Sequence, residues 1–167
     1  SFSNVHAASS VCSPSRYALL TGRYAWRTRM NEGVLYGYCR HLIEPERTTL
    51  GSLFTSRGYA TACVGKWHVG LDWTPREGDA GDWGEGTVVR NQSDIGHRID
   101  FAKPIRNGPT TGGFDYFFGT AACSTCNEPF TFIENDRVTV VPEYQECPRR
   151  KIKYYRAPDW DDTRVDD

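Results

Sequence analysis

The chain has 167 residues, of which 38% are hydrophobic and 25% charged, with a mean hydropathy of −0.59. That length suits one ordinary domain, and the composition predicts a thin core threaded by many loops. A net charge of −1 excludes a general nucleic-acid surface, and no apolar run reaches the roughly 18 residues a membrane span needs.

In chain order, the first predicted element is a helix. Ser13-Pro14 reads as its cap and first turn, because a proline there lacks only an N–H that would be unpaired anyway. The helix runs through Tyr17, Leu19 and Leu20 to Thr21, and Gly22 suits its close. Arg27 to Gly37 reads as irregular. Thr48-Thr49-Leu50 opens a second helix, with Leu50, Leu53 and Phe54 as its expected buried face and Gly58 as its end. Tyr59 to Gly65 is a predicted strand, residues 72–113 mostly a long loop, and Phe114 to Phe118 a second strand. Phe130 to Ile133 and Val138 to Val141 flank Glu134-Asn-Asp-Arg137 as a hairpin. Arg149-Arg150-Lys151, Lys153 and Arg156 form a basic run that an acidic tail, Asp159 to Asp167, largely balances; both read as solvated surface.

The most informative string is Cys12-Ser13-Pro14-Ser15-Arg16 with Leu20-Thr21-Gly22-Arg23. A helix beginning at Ser13 places Cys12 just outside its positive end, where unpaired N–H groups favour an anion. A thiol at such a terminus gains nucleophilicity, and Arg16 in the first turn can fold back toward it. A second string, Gly58-Tyr59-Ala60-Thr61 and then Gly65-Lys66-Trp67-His68-Val69-Gly70, puts a cation and an imidazole at i and i+2. On an extended segment both would share one side, with Trp67 turned toward packing.

Together these strings resemble the two signatures of the type I sulfatases. The resemblance implies that Cys12 is oxidised to Cα-formylglycine, with Pro14, Ser15, Leu20, Thr21, Gly22 and Arg23 read during maturation by a formylglycine-generating enzyme. It implies that Arg16, Lys66 and His68 serve catalysis beside it. Gly113 to Gly119 and Ile133 to Arg137 are similar to segments of bacterial A-type arylsulfatase relatives and serve as fold markers. The implied fold is α/β, an alkaline-phosphatase-like α/β/α sandwich around a central mixed sheet. Residues 1–167 would form part of a sulfatase catalytic domain, without its first strand and its C-terminal part, and inactive in isolation. The implied metal is Ca²⁺, with Mg²⁺ possible, ligated by the formylglycine at Cys12 and by carboxylates outside this chain. The paired acids Asp161-Asp162 and Asp166-Asp167 are not assigned to it. Sulfate esters, aryl or glycan, are the implied substrates, no membrane span is expected, and an exported location is favoured.

Other readings stay open at this point. A phosphonate or phosphate monoester hydrolase could use the same aldehyde, a non-catalytic relative could keep the shell of the site, and a thiol enzyme could use unmodified Cys12. His6, His41 and His97 read as ordinary polar residues. The six cysteines are too sparse for a disulfide scaffold and too scattered for zinc. Only Cys123-Ser-Thr-Cys126 is closely spaced, as a loop disulfide or two unrelated thiols, on a stretch that could rim the substrate cleft.

Overall fold

Two short glycine-containing segments, Ala62–Lys66 (β1) and Tyr116–Thr120 (β2), lie side by side as parallel strands, in register from Ala62 against Tyr116 to Lys66 against Thr120. Antiparallel to β2 runs β3 (Ile133–Glu134), which turns through Asn135-Asp136 into β4 (Arg137–Val138). The result is a mixed sheet in the order β1-β2-β3-β4. The turn is sealed by Asn135, which adopts a left-handed φ of 55°. Its N–H donates to the Phe117 carbonyl at 2.8 Å, and its Oδ1 accepts the Phe117 N–H at 3.1 Å. The expected hairpin is therefore present with a tighter turn, and Thr139 N–H continues the ladder to the Phe132 carbonyl.

Gly65 and Gly119 face each other across β1 and β2. Gly65 has a φ of +105°, and a Cβ on Gly119 would sit 1.7 Å from the Gly65 carbonyl oxygen. Only glycine permits this approach and this φ.

The computed structural model describes residues 1, 3–84, 92–146 and 152–161. Within them α1 spans Cys12–Thr21, a 3-10 turn spans Ala25–Arg27, and α2 spans Leu50–Thr55. The core lies on one face of the sheet, where Tyr17 of α1, Cys63, Trp67, Phe117 and Ile133 gather in one cluster. On the other face Val64 and Phe132 are exposed, as the two-residue alternation of strands requires.

Four expectations need correcting. Ser13 is not the cap of α1: the helix begins at Cys12 after an extended Val11, and the buried Ser13 hydroxyl accepts the Leu35 N–H at 3.0 Å. Leu53 and Phe54 are exposed at 43% and 46%, because α2 instead lays Gly51 against the backbone of Gly113. Residues 72–113 are not a plain loop. Trp73, Trp83, Ile99, Phe101 and Ile105 are buried in the core, and a short helix, α3, covers Gln92–Gly96. Finally, Lys153 and Arg156 are not simply solvated surface. They bound β6 (Lys153–Arg156), which pairs with β5 (Glu143–Glu146) and buries Tyr154 and Tyr155. Cys147, Arg149 to Lys151, Asp162 and the tail from Asp162 to Asp167 lie outside the described residues.

The second helix does start as expected. Thr49 accepts the Ser52 N–H at 3.0 Å while Ser52 Oγ accepts the Thr49 N–H at 2.9 Å, a reciprocal cap. Gly58 follows with a φ of +81°. No described helix is long and apolar enough to cross a membrane.

Candidate active site

Cys12 is the first residue of α1 and half-buried, and no side chain caps the helix in front of it. A ten-residue helix with an uncapped start directs its positive end at whatever sits there. One turn later, Arg16 leaves the helix toward the sheet and its guanidinium donates to the carbonyl of Lys66 at 2.5 Å. Arg16 therefore bridges the two sequence strings. It also sits close enough to Cys63 and His68 for its charge to act on both.

Strand β1 stops at Lys66, and Trp67 and His68 donate their N–H groups to the carbonyls of Thr120 and Ala121, each at 2.9 Å. Trp67 is buried as expected, with Nε1 donating to the Gly70 carbonyl and its ring meeting the edges or faces of Phe114 and Phe117. His68 departs from expectation. It adopts a left-handed φ of 58°, so strand alternation does not place it beside Lys66. The two are nonetheless neighbours, because the turn brings the imidazole within range of the ammonium. His68 is 2% exposed, and among the described residues neither ring nitrogen has a hydrogen-bond partner of good geometry. Burial, then the charge of Lys66, pushes its pKa down to about 4, against a favourable contribution from the Leu35 backbone. At neutral pH it is an uncharged imidazole.

Among the described residues, no carboxylate lies within ion-pair distance of Arg16 or Lys66. Arg16 and Lys66, neither ion-paired among the described residues, and the neutral imidazole of His68 thus lie near one another at the end of β1. Lys66 also opens onto a cleft of about 410 Å³ lined by Thr120, Ser124, Thr125, Phe132 and Trp160. Phe132 stacks on Phe118 at 5.4 Å and leans on Trp160 at 5.1 Å, so one wall of this cleft is aromatic.

The remaining motif residues hold α1 in place. Thr21 Oγ1 donates to the Tyr17 carbonyl at 2.7 Å, and Gly22 closes the helix at φ +66° with its N–H on Ala18. Leu20 packs against the core. Arg23 donates to Glu44 at 2.5 Å and to the Arg27 carbonyl at 3.0 Å, while Tyr17 donates to the same Glu44 at 2.8 Å. Ser15 Oγ donates to the Ser9 carbonyl, and Pro14 lines a cavity of about 180 Å³ with Val11, Tyr24, Trp26 and Met30.

Several residues carry more than sequence reasoning gave them. His41, read as ordinary, is stacked on Trp67 with a buried Nε2, and burial takes its pKa down to about 4 against the pull of Asp72. His97 accepts or donates at Nδ1 to Tyr155 Oη at 2.7 Å. Glu128 is a buried carboxylate receiving Ser93 Oγ at 2.7 Å, the Tyr155 N–H at 3.0 Å and Tyr38 Oη at 3.2 Å. Burial raises its pKa despite those donors. The Glu-Pro step alone carried no signal for this network. The set formed by Arg16, Lys66 and His68 offers no side-chain oxygen to a hard cation, which needs about six or more oxygen ligands. It is cationic or neutral, and among the described residues no three His, Cys, Asp or Glu side chains group to hold a metal.

These features gather Arg16, Lys66 and His68 at the C-terminal edge of a parallel strand pair in an α/β protein. The Sulfatase family profile matches residues 1–147, and the chain belongs to that family. It is 38% identical over 137 residues to N-acetylgalactosamine-6-O-sulfatase of Bacteroides thetaiotaomicron, covering 82% of this chain and 22% of that protein. Human arylsulfatase A is 41% identical over 70 residues, covering 42% of this chain and 14% of its own length. A solved structure from a study of glycosaminoglycan metabolism by Bacteroides thetaiotaomicron superposes with a TM-score of 0.61 at 30% identity. It covers 84% of this chain and 26% of that one. The fold is thus the alkaline-phosphatase-like α/β class of the sulfatases, and the chain spans about a quarter or less of the relatives it matches.

Proposed function

We propose that the whole protein hydrolyses sulfate esters with Cys12 as the precursor of its nucleophile. The observation that carries this is the hydrogen bond from Arg16 to the Lys66 carbonyl at the end of β1, which joins two cations that have no carboxylate partner among the described residues. Converted to Cα-formylglycine by a generating enzyme, Cys12 supplies a geminal diol, one hydroxyl of which attacks sulfur while deprotonation of the other releases sulfate.

The residues of this chain have separable roles in that scheme. Lys66 neutralises the equatorial oxygens of the sulfate, whose charge grows as the ester bond breaks. The neutral imidazole of His68 exchanges one proton with the nucleophile or the leaving oxygen. Arg16 positions Lys66 through its carbonyl and adds positive charge without occupying the cleft. No step is assigned to Ca²⁺ here, since the donor set at this site does not fit it; carboxylates elsewhere in the whole protein would have to supply the ligands. The name of the relative from Bacteroides thetaiotaomicron supports a sulfated amino-sugar glycan as substrate, and the aromatic wall beside Lys66 suits the flat face of a sugar ring.

The test is mass spectrometry of the tryptic peptide that contains Cys12 and ends at Arg16, from full-length protein coexpressed with a formylglycine-generating enzyme. An aldehyde at Cys12, trapped by a carbonyl reagent, with turnover of an aryl sulfate above that of an aryl phosphonate, is expected. An intact thiol at Cys12, in cells that convert a control sulfatase, would sink the proposal.

A further inference from the structure

The loop that follows β2 carries two thiols that the proposed hydrolysis does not use. Its start is fixed to the active-site segment, because Thr120 and Ala121 accept the N–H groups of Trp67 and His68. Thr120 Oγ1 then donates to the Ala122 carbonyl at 2.9 Å. The chain next folds into a turn in which the Cys123 carbonyl accepts the N–H groups of Cys126 at 3.5 Å and Asn127 at 3.0 Å. A turn of this kind holds its first and fourth Cα atoms within about 7 Å, which is the separation a disulfide spans. The two residues between the cysteines, Ser124 and Thr125, line the cleft that Lys66 opens onto.

Both thiols are free and reachable, Cys123 half-buried and Cys126 exposed. Cys123 Sγ lies 3.1 Å from Thr125 Oγ1, and the Cys126 thiol is within hydrogen-bonding reach of Cys123 and, at 3.7 Å, of Asn127 Oδ1. We propose that Cys123 and Cys126 form a dithiol–disulfide exchange site on the rim of the Lys66 cleft, with Cys123 attacking and Cys126 resolving.

The local chemistry distinguishes the two sulfurs. Burial works against ionising Cys123, but the Thr125 hydroxyl, the Thr125 N–H, the Cys126 thiol and the Lys66 charge outweigh it and bring its pKa below the ordinary thiol value. Burial, followed by the hydrogen bond to Cys123 and that neighbour's charge, raises Cys126. Such a division suits an attacking thiolate beside a thiol that resolves it. In the reaction, the Cys123 thiolate attacks one sulfur of a small external disulfide, such as oxidised glutathione, and expels one glutathione thiolate. Cys126 then gives up its proton to solvent, attacks Cys123 Sγ and expels the second. The pair loses two electrons and two protons, and the external disulfide becomes two thiols. Cys39 and Cys63 serve as internal controls, since burial raises the pKa of both and Cys39 is enclosed in the core.

The experiment needs no sulfatase activity, so its outcome is independent of the function proposed above. Reduced full-length protein is placed in a glutathione redox buffer, quenched with acid, alkylated and digested. The tryptic peptide Asn107–Arg137 contains Cys123 and Cys126 and no other cysteine. We expect it to lose two hydrogens, to escape alkylation at both positions and to recover on reduction. Its oxidation should run about tenfold faster than glutathione addition to Cys39 or Cys63. Cys126→Ser should accumulate glutathione on Cys123, whereas Cys123→Ser should leave Cys126 largely unmodified. The proposal is overturned if the wild-type peptide stays reduced in a buffer that oxidises dithiothreitol. It is equally overturned if both serine variants take glutathione alike, or if urea-unfolded protein closes the bridge as fast as native protein.

Discussion

Acid should loosen this protein through two imidazoles that it keeps neutral. His68 and His41 both have pKa values pushed down to about 4 from 6.5, chiefly by burial. The sign follows from proton counting: between those values the unfolded chain binds more protons, so stability rises with pH and is fully present above the unfolded value. It is lost as pH falls from 6.5 toward 4 and levels off below. Per imidazole, the loss between pH 7.5 and pH 5 is about 2 kcal/mol, obtained by integrating the linkage relation. Replacing His68 by Gln removes a titrating group while keeping a polar side chain of similar length, and His41→Gln does the same on the other side of Trp67. Urea unfolding of the full-length protein at a series of pH values reads the effect. The wild type should lose about 2 kcal/mol more than either single variant over that interval, and about 4 kcal/mol more than the double variant. Parallel pH profiles for wild type and double variant would refute the argument that these rings are buried uncharged.

Other substitutions probe separate links. Lys66→Gln should leave the melting temperature nearly unchanged, because the ammonium has no ion-pair partner among the described residues, while lowering kcat/KM for an aryl sulfate by about a hundredfold or more. Unchanged turnover would remove Lys66 from the site. Thr49→Ala deletes the acceptor for the Ser52 N–H and the donor to the Gly112 carbonyl, and should cost about 1–2 kcal/mol in denaturant unfolding. Gly119→Ala drives a methyl into the Gly65 carbonyl; a loss of about 1–3 kcal/mol is expected, together with weakened activity because β1 must shift just before Lys66. Tyr38→Phe strips one donor from buried Glu128 and should lower stability by about 1–3 kcal/mol.

What could be read from the sequence was what short range determines. The close of α1 at Gly22, the start of α2 at Thr49 and the hairpin around Asn135 all follow from residues within a few positions of one another. Leu53 and Phe54 misled because periodicity names an apolar face without saying whether anything packs there, and Gly51, with no side chain to signal burial, makes the contact. Trp73, Trp83, Ile99 and Phe101 were hidden for the opposite reason. They are spaced among Gly, Asp and Pro with no helical or strand period, so only the tertiary structure shows that they anchor the core.

The site itself was half legible, and the reason lies in one bond. The strings at Cys12 and Lys66 are separated by about fifty positions, and no local rule joins them; the family resemblance supplied the association, while the structure supplies the Arg16 hydrogen bond to the Lys66 carbonyl. That bond spends a backbone acceptor on a guanidinium and leaves the Lys66 ammonium directed elsewhere. His68 shows the same limit. Alternation along a strand would have put its ring beside Lys66 for a simple reason, yet the strand ends and a left-handed residue does the work. A non-glycine φ of that sign is uncommon, and holding an unpartnered imidazole at 2% exposure adds a second cost. Two such costs at one residue, beside two cations with no ion-paired carboxylate among the described residues, are what a site organised for an incoming oxyanion would show and what a stability-driven core would discard.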